Sequence, residues 1–311
     1  DVQRAGKTSR VPVFFLGYGH FGQVREDIEK FPSYGINIIQ IEFGPNSVVR
    51  EDGISLEVVE RDLRVLDRAA RSNVAVNLLL SPHYFPGWAM QKWPHLGKCE
   101  GGFIKYCIDA PEAKTVIERF LRAVIPKLRG HRAVHSFCLS NEPIYRESRD
   151  CQYTREKWIG YLRRTHVNVA AMNASLGTSY SSFDEVPIPA NDEYTAPQFY
   201  DWCIFNQNRF AGWHRWMADI IHEMWPEARV HAKIMPTIFD RNTIAWGVDP
   251  ELFAALSHIN GNDCWIGYPG RDEWANNWHT QNMFYNLQRS MKPVPIFNSE
   301  NHITADRSTH Y

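Results

Sequence analysis

Two glutamates in this 311-residue chain stand where an apolar run stops. Ser140-Asn141-Glu142-Pro143 closes the run that starts at His135, and Glu300 directly follows Ile296-Phe297-Asn298-Ser299. Hydrolysis at an acetal carbon needs two carboxyl groups with opposite duties, one carrying a proton for the leaving oxygen and one ionised against the carbon under attack. If the oxygens of such a pair lie about 5–5.5 Å apart, the second group attacks directly and the reaction retains configuration. Glu142 would then be the acid/base and Glu300 the nucleophile, in surroundings that pull their pKa values apart. One glutamate after a strand is commonly a solvated strand end or a helix cap. Two of them, with Asn141 beside the first, point to chemistry.

Such a pair needs a frame that brings distant segments to one rim. Short β-rich runs alternate with amphipathic stretches along the whole chain, the pattern of βα units around a parallel sheet. Strands are expected at Val11–Gly17, Ile36–Phe43, Val74–Ser81, Ala133–Ser140, Arg229–Met235, Asp263–Tyr268 and Val294–Ser299. Helices are expected at Ser55–Ser72, at Pro111–Leu128 behind an Asp-Ala-Pro-Glu capped start, and from about Ala196 to Glu223. The fold class this implies is α/β, a (β/α)8 barrel forming one catalytic domain over 1–311. An insertion over about 143–228 separates strands four and five, and its loop Gly177–Tyr194 is expected over the mouth. Seven strands leave a closed barrel one βα unit short, which implies that the polypeptide continues past Tyr311. Strand position also nominates His20, Glu42 and His83 as partners for substrate hydroxyls, and Trp88, Trp265 and His302 as pocket wall.

Composition removes several alternatives. A formal net charge of −1 without blocks of like charge gives no reason to expect nucleic acid or a charged membrane as partner. No apolar stretch is long enough for a membrane span, and the first residues lack a signal-peptide layout. A neutral carbohydrate is the expected partner, no cofactor is expected, and homo-oligomerisation and compartment are left open. Eleven tryptophans suit sugar stacking as well as a core. Six scattered cysteines are too few for a disulfide scaffold. His131 and His135 have a metal-like spacing, but His135 sits in a strand run and the pair reads as structural.

One motif favours another class. Gly17-Tyr18-Gly19-His20-Phe21-Gly22 is a G-x-G-x-x-G after a strand, with Glu42 about 20 residues on, the fingerprint of an NAD-binding Rossmann oxidoreductase. Tyr18, His20 and Phe21 are bulky for a turn that must approach pyrophosphate, and this reading leaves Glu142 and Glu300 without a role. A sugar-binding barrel without catalysis is the third class, though it would ordinarily lack one of the glutamates.

The Asn-Glu-Pro after strand four and the late Ser-Glu after strand seven resemble the clan of retaining (β/α)8 glycosidases. Within it, the stretches Gly35–Phe43, Ser81–Ala89, Tyr106–Pro111 and Met172–Tyr180, the last continuing to Phe183–Pro187, look most like glycoside hydrolase family 42, the β-galactosidase-like group. The resemblance implies Glu142 as acid/base, Glu300 as nucleophile, and Tyr268 as the tyrosine that touches the nucleophile. It also marks two departures. The family's sugar-holding arginine ahead of the cysteine matching Cys107 is missing from 101–106, and the aromatic expected after Tyr180 is Ser181-Ser182. Both weaken β-galactoside as the substrate while leaving the hydrolytic machinery intact, so the sugar stays open between β-galactoside and another β-linked sugar. Relatives can carry a cysteine-ligated zinc in the loops of Cys107 and Cys151. With two cysteines recognised there, no zinc is expected, and the two sulfurs should lie near each other as a disulfide or as free thiols.

Overall fold

A computed structural model describes residues 2–4, 7–9, 13–19, 22–99, 101–149, 151–239, 243–264 and 274–301. Five parallel strands neighbour one another in chain order: β1 (Gly17–Tyr18), β2 (Ile38–Phe43), β3 (Ala75–Leu80), β4 (Val134–Asn141) and β5 (Val230–Lys233). A second parallel pair, β6 (Asn260–Asn262) and β7 (Ile296–Asn298), joins them through an Ile234–Asn262 bridge, reinforced where Asp263 N–H donates to Ile234 O at 3.0 Å. These are successive staves of an α/β TIM barrel.

Strand periodicity separates inside from outside. Ile39, Ile41 and Phe43 on β2, Val76, Leu78 and Leu80 on β3, and Phe137 and Leu139 on β4 belong to one core shared with the surrounding helices. The alternate positions turn into the barrel, and one layer of them is polar. Gln40 Nε2 donates to Asn77 Oδ1 at 2.6 Å, and Asn77 Nδ2 donates to Ser136 Oγ at 2.7 Å and to His231 Nε2 at 2.9 Å. All four are buried, and their mutual hydrogen bonds offset the cost of leaving water. Two residues further along, the same inward parity carries Glu42, Cys138 and Lys233, and four beyond Asn77 it carries Ser81, which places the rim chemistry on top of this layer.

The first helix, α1 (Glu57–Arg71), repeats Val59, Leu66 and Ala69 on its buried face with Arg68 and Arg71 in its last turn, where cations suit the helix dipole. The second, α2 (Pro111–Leu128), begins with proline at its first turn, but its start differs from expectation. Ala110 is the N-cap and no side chain caps it, because Asp109 is engaged elsewhere. Between β4 and β5 lie α3 (Gln152–Thr165), α4 (Val169–Leu176) and α5 (Phe199–Met224). The loop 177–194 packs against α3 and α5, with Val186 and Ile188 in a cluster around Trp158 and Trp202. It reaches the segment beyond Glu142 where Asn191 Nδ2 approaches Glu147 Oε2 at 3.4 Å. Last come α6 (Pro250–Leu256) and α7 (Trp274–Met291).

Two strands depart from the sequence reading. Residues 13–16 of the expected Val11–Gly17 strand are not regular, and pairing begins at Gly17, whose Cα faces Ile38. Strand six is Asn260–Asn262, ahead of the expected Asp263–Tyr268, with Asp263 and Cys264 already past its end. Asparagine and glycine are depleted in strands, so this segment gives little β signal. Its glycine is dictated by packing, since a Cβ on Gly261 would lie 2.1 Å from His231 Nδ1 and 2.4 Å from Ala232 O.

The dinucleotide reading fails on the same ground. A Cβ on Gly17 would meet Ile38 O at 1.8 Å, so that glycine serves strand packing, and Gly22–Arg25 is a four-residue 3-10 turn where a phosphate-binding helix would have to start. Among the described residues, no helix is long and apolar enough to cross a membrane.

Candidate active site

Asn141 ends β4 and Glu142 follows it with φ of 39°, in the left-handed region. A non-glycine residue there costs about 1–3 kcal/mol and persists only where its surroundings hold it. Below it, Ser140 donates its hydroxyl proton to His214 Nε2 at 2.7 Å while His214 Nδ1–H donates to Phe210 O at 2.9 Å. Burial lowers the His214 pKa to about 4, so this imidazole is neutral at pH 7 and fixed in one tautomer. Beyond it, Tyr145 N–H donates to Trp246 O at 2.8 Å and the Tyr145 hydroxyl to Tyr106 O at 2.9 Å. Asn206 Nδ2 donates to Tyr145 O at 2.6 Å. The strained turn is clamped on both sides.

Glu300 arrives from β7 and meets the Lys233 ammonium from β5 in a close ion pair. The Lys233 side chain is wholly buried. Burial alone would lower its pKa, but the carboxyl groups of Glu300 and Asp263 outweigh that and raise it, so the ammonium stays charged. Glu142, Asp263 and Glu300 each present an oxygen within 4.8 Å of the others. Two like charges at that separation repel by about 3–4 kcal/mol at an effective dielectric constant of about 20. Asp263 yields: burial first, then its hydrogen bond to Glu142, push its pKa up to about 9 against the pull of Lys233. A carboxylic acid, a carboxylate held by an ammonium, and a third carboxyl therefore share one gap.

Of the other nominated residues, Glu42 and His83 come together. Glu42 accepts from the Ser81 hydroxyl and, at 3.3 Å, from the Tyr84 hydroxyl, and His83 Nε2 lies 3.9 Å from its Oε1. The His83 ring sits between Tyr84, at a centroid distance of 4.3 Å, and Phe103, at 5.2 Å. Tyr84 and Phe103 are exposed aromatics that sequence reasoning passed over, although Tyr84 directly follows His83 after strand three. Trp88 is turned elsewhere: its Nε1 donates to Val49 O at 3.1 Å and its ring packs on Trp93. His20, Trp265, Tyr268 and His302 lie outside the described residues.

The cysteines form a group of three where two were expected. Cys99, Cys107 and Cys151 are buried free thiols whose sulfurs lie within 4.8 Å of one another. The side-by-side thiols share their protons unequally: Cys107 and Cys99 together lower the Cys151 pKa, while the pKa of Cys107 is raised by the same contacts. A structural zinc site needs four thiolate or imidazole ligands. Here the fourth neighbour is the Thr154 hydroxyl, 3.8 Å from Cys99 Sγ, which donates to Asp109 Oδ2 at 3.0 Å and accepts from Arg209 at 2.9 Å. Among the described residues, no fourth thiolate or imidazole completes a zinc site here.

A parallel barrel with glutamates after its fourth and seventh strands, their oxygens across one gap, has the layout of the (β/α)8 glycosidases. The family model of glycoside hydrolase family 42, described as beta-galactosidase, matches residues 21–303, and the chain belongs to that family. The beta-galactosidase bgaB of Geobacillus kaustophilus is 23% identical over 297 residues, which cover 86% of this chain and 40% of that protein. The chain thus spans about 40% of the length of the curated relatives it matches. Among solved structures, the apo exo-carrageenase of Bacteroides ovatus superposes with a TM-score of 0.78 at 24% identity, over 95% of this chain and 42% of that one. The beta-galactosidase of Rahnella sp. R3 gives 0.74 at 16% identity, over 89% and 43%. At these identities the superpositions show the fold.

Proposed function

We propose that this chain is the catalytic barrel of a retaining β-glycoside hydrolase, with Glu142 as acid/base and Glu300 as nucleophile. The observation that carries the reading is the separation of their oxygens, within 4.8 Å. That is close to the about 5–5.5 Å of retaining enzymes and short of the roughly 6.5–9.5 Å that an inverting enzyme needs to seat a water. In the first step Glu300 attacks the anomeric carbon as Glu142 gives its proton to the departing oxygen. In the second, Glu142 takes a proton from water as that water displaces Glu300. Lys233 keeps the nucleophile ionised before attack, and Asn141, one residue before the acid/base, faces the sugar from the same strand end.

The substrate we propose is a β-linked, galactose-type sugar, supported by the family and by relatives named beta-galactosidase and exo-carrageenase. Glu42 and His83 offer a hydrogen-bonding edge for hydroxyls, and Tyr84 and Phe103 an apolar face on which a pyranose can stack. Where the family expects an aromatic, the Ser181 hydroxyl and N–H both bind Glu185, so that position offers no stacking face. Incubation with nitrophenyl β-glycosides and with carrageenan oligosaccharides tests the reading. Release with retained configuration is expected on at least one of them, falling roughly 10⁴-fold or more in Glu300→Ala. A Glu300→Ala variant as active as the parent would remove the assignment.

A further inference from the structure

Double displacement uses two carboxyl groups, and the site holds three. Asp263 is 2% exposed, and its Oδ1 has no hydrogen-bond partner among the described residues. Buried carboxyl oxygens are ordinarily paired, so an orphan in a catalytic gap calls for a function. Among the described residues, the charged groups that face it are Glu142 from β4, Lys233 from β5 and Glu300 from β7. Cys138 below has its thiol pushed up to about 12 by burial and adds no charge at neutral pH. One ammonium cannot compensate three carboxylates within 4.8 Å of one another, so at least one proton stays in the cluster. Glu300 has the ammonium on it and is the least suited to keep that proton. It belongs to the remaining two.

Resting on Glu142 as acid/base, we propose that Asp263 is a positioning residue that shares one proton with Glu142 and hands it over when substrate binds. The charge count closes through the cycle. Before reaction the cluster holds the Lys233 cation, the Glu300 anion and a Glu142–Asp263 pair with one proton between them. As the glycosidic C–O bond breaks, that proton leaves with the departing oxygen, and the electron pair of Glu300 forms the new bond to the anomeric carbon. Glu300 has lost its charge in the ester just as Glu142 and Asp263 have both become anions, and Lys233 is then free to compensate Asp263. Net charge in the pocket is unchanged. Water restores the proton to Glu142 in the second step, when its oxygen bonds the anomeric carbon and Glu300 departs as carboxylate.

Asp263→Asn tests this without changing the size of the side chain. It removes the proton partner and the like charge, so the cluster gives up its remaining proton at lower pH. The alkaline limb of kcat/KM should move down by at least about one pH unit, and kcat/KM at pH 7 should fall about tenfold or more for poor, alkyl leaving groups. Dinitrophenyl glycosides, whose leaving group needs no acid, should lose less than about threefold. A loss equal for both leaving groups, with the alkaline limb unmoved, would mean that Asp263 only supports the fold. If the full chain cleaves no glycoside at all, the hydrolase reading fails, yet the shared proton is still measurable. Carbon-13 carboxyl titration of the parent should show the Glu142 and Asp263 signals moving together through one shared high-pH step, and that step should be absent from the Glu142 signal in Asp263→Asn. A Glu142 signal that moves identically in both proteins would overturn the proposal.

Discussion

Asp109 and Asp263 are both carboxyl groups taken out of water, 7% and 2% exposed, and the molecule treats them in opposite ways. Asp109, just before α2, accepts from Lys157 at 2.6 Å and from Thr154 and Arg209 at 3.0 Å each. Burial works to raise its pKa, but Arg209 and then Lys157 outweigh it and the value is lowered. Arg209 in turn donates to Ser148 and Asn206, so the cluster ties the loop before α2 to α3 and α5. Among the described residues, Asp263 has one cation nearby, already committed to Glu300, and an oxygen without a partner. Where every charge is matched, the cluster is scaffold. Where a proton must be held in place of a partner, the fold has left something for substrate and catalysis to complete.

The comparison is broken most severely by removing its cations. Lys233→Met strands the buried Glu300 carboxylate and should cost about 3–5 kcal/mol in denaturant titration, whereas Arg209→Met leaves Asp109 with Lys157 and Thr154 and should cost less. Only Lys233→Met should also move the acid limb of kcat/KM upward, because Glu300 then protonates more readily. If both variants left that limb in place, the two cations would be equivalent scaffold.

The layer beneath the catalytic rim gives a smaller effect, through protons alone. Burial first, then the Phe210 carbonyl in the opposite sense, leaves His214 near pKa 4, and burial with neighbouring His135 leaves His231 near 3. These folded values lie below the ordinary histidine value. Stability is therefore whole above about pH 6.5 and is lost as pH falls toward 4, by about 3 kcal/mol for His214. His214→Gln should flatten thermal stability between pH 6.5 and 4; an unchanged slope would show that other groups govern acid unfolding.

The two aspartates themselves sharpen the contrast with the smallest shift. Asp109 has a lowered folded pKa, so its contribution is present above the ordinary carboxylate value and fades as pH falls. Asp263 is raised to about 9, so its contribution is greatest in acid and is lost as pH rises from about 4 through 9. Asp263→Asn should gain stability relative to the parent as pH goes from 5 to 8, whereas Asp109→Asn should be less stable than the parent throughout that range. The two differences should separate by at least about 1.4 kcal/mol, the value of one pKa unit. Parallel curves would deny that the sites differ in protonation.

The convergence of Glu142 and Glu300 was readable from their setting, since an apolar run ending in glutamate occurs twice at strand ends that a barrel must bring to one rim. The helix Pro111–Leu128 was equally plain, because proline at its first turn and an unbroken apolar stripe are local signals. Other features were legible only in part. Glu42 and His83 were nominated singly, and their convergence with Tyr84 depends on the β2–β3 register. Lys233 carried a signal that went unused: in Val230-His231-Ala232-Lys233 the polar residues alternate, which turns Lys233 into the barrel. The cysteine trio was missed because Cys99 stands eight residues from Cys107 in the loop before α2, and only folding brings both sulfurs to that of Cys151 at the start of α3.

The sequence by itself determined the order of βα units and the two glutamates, because period-two alternation and strand-end position are properties of contiguous residues. Tertiary structure alone decided where strand six lies. Asn260-Gly261-Asn262 has poor intrinsic preference for a strand and becomes one because β5 approaches so closely that only glycine fits between them. That shift moves Asp263 from the expected start of a strand to its catalytic end. The proton it holds there follows from its distances to Glu142, Lys233 and Glu300, which lie on three other strands.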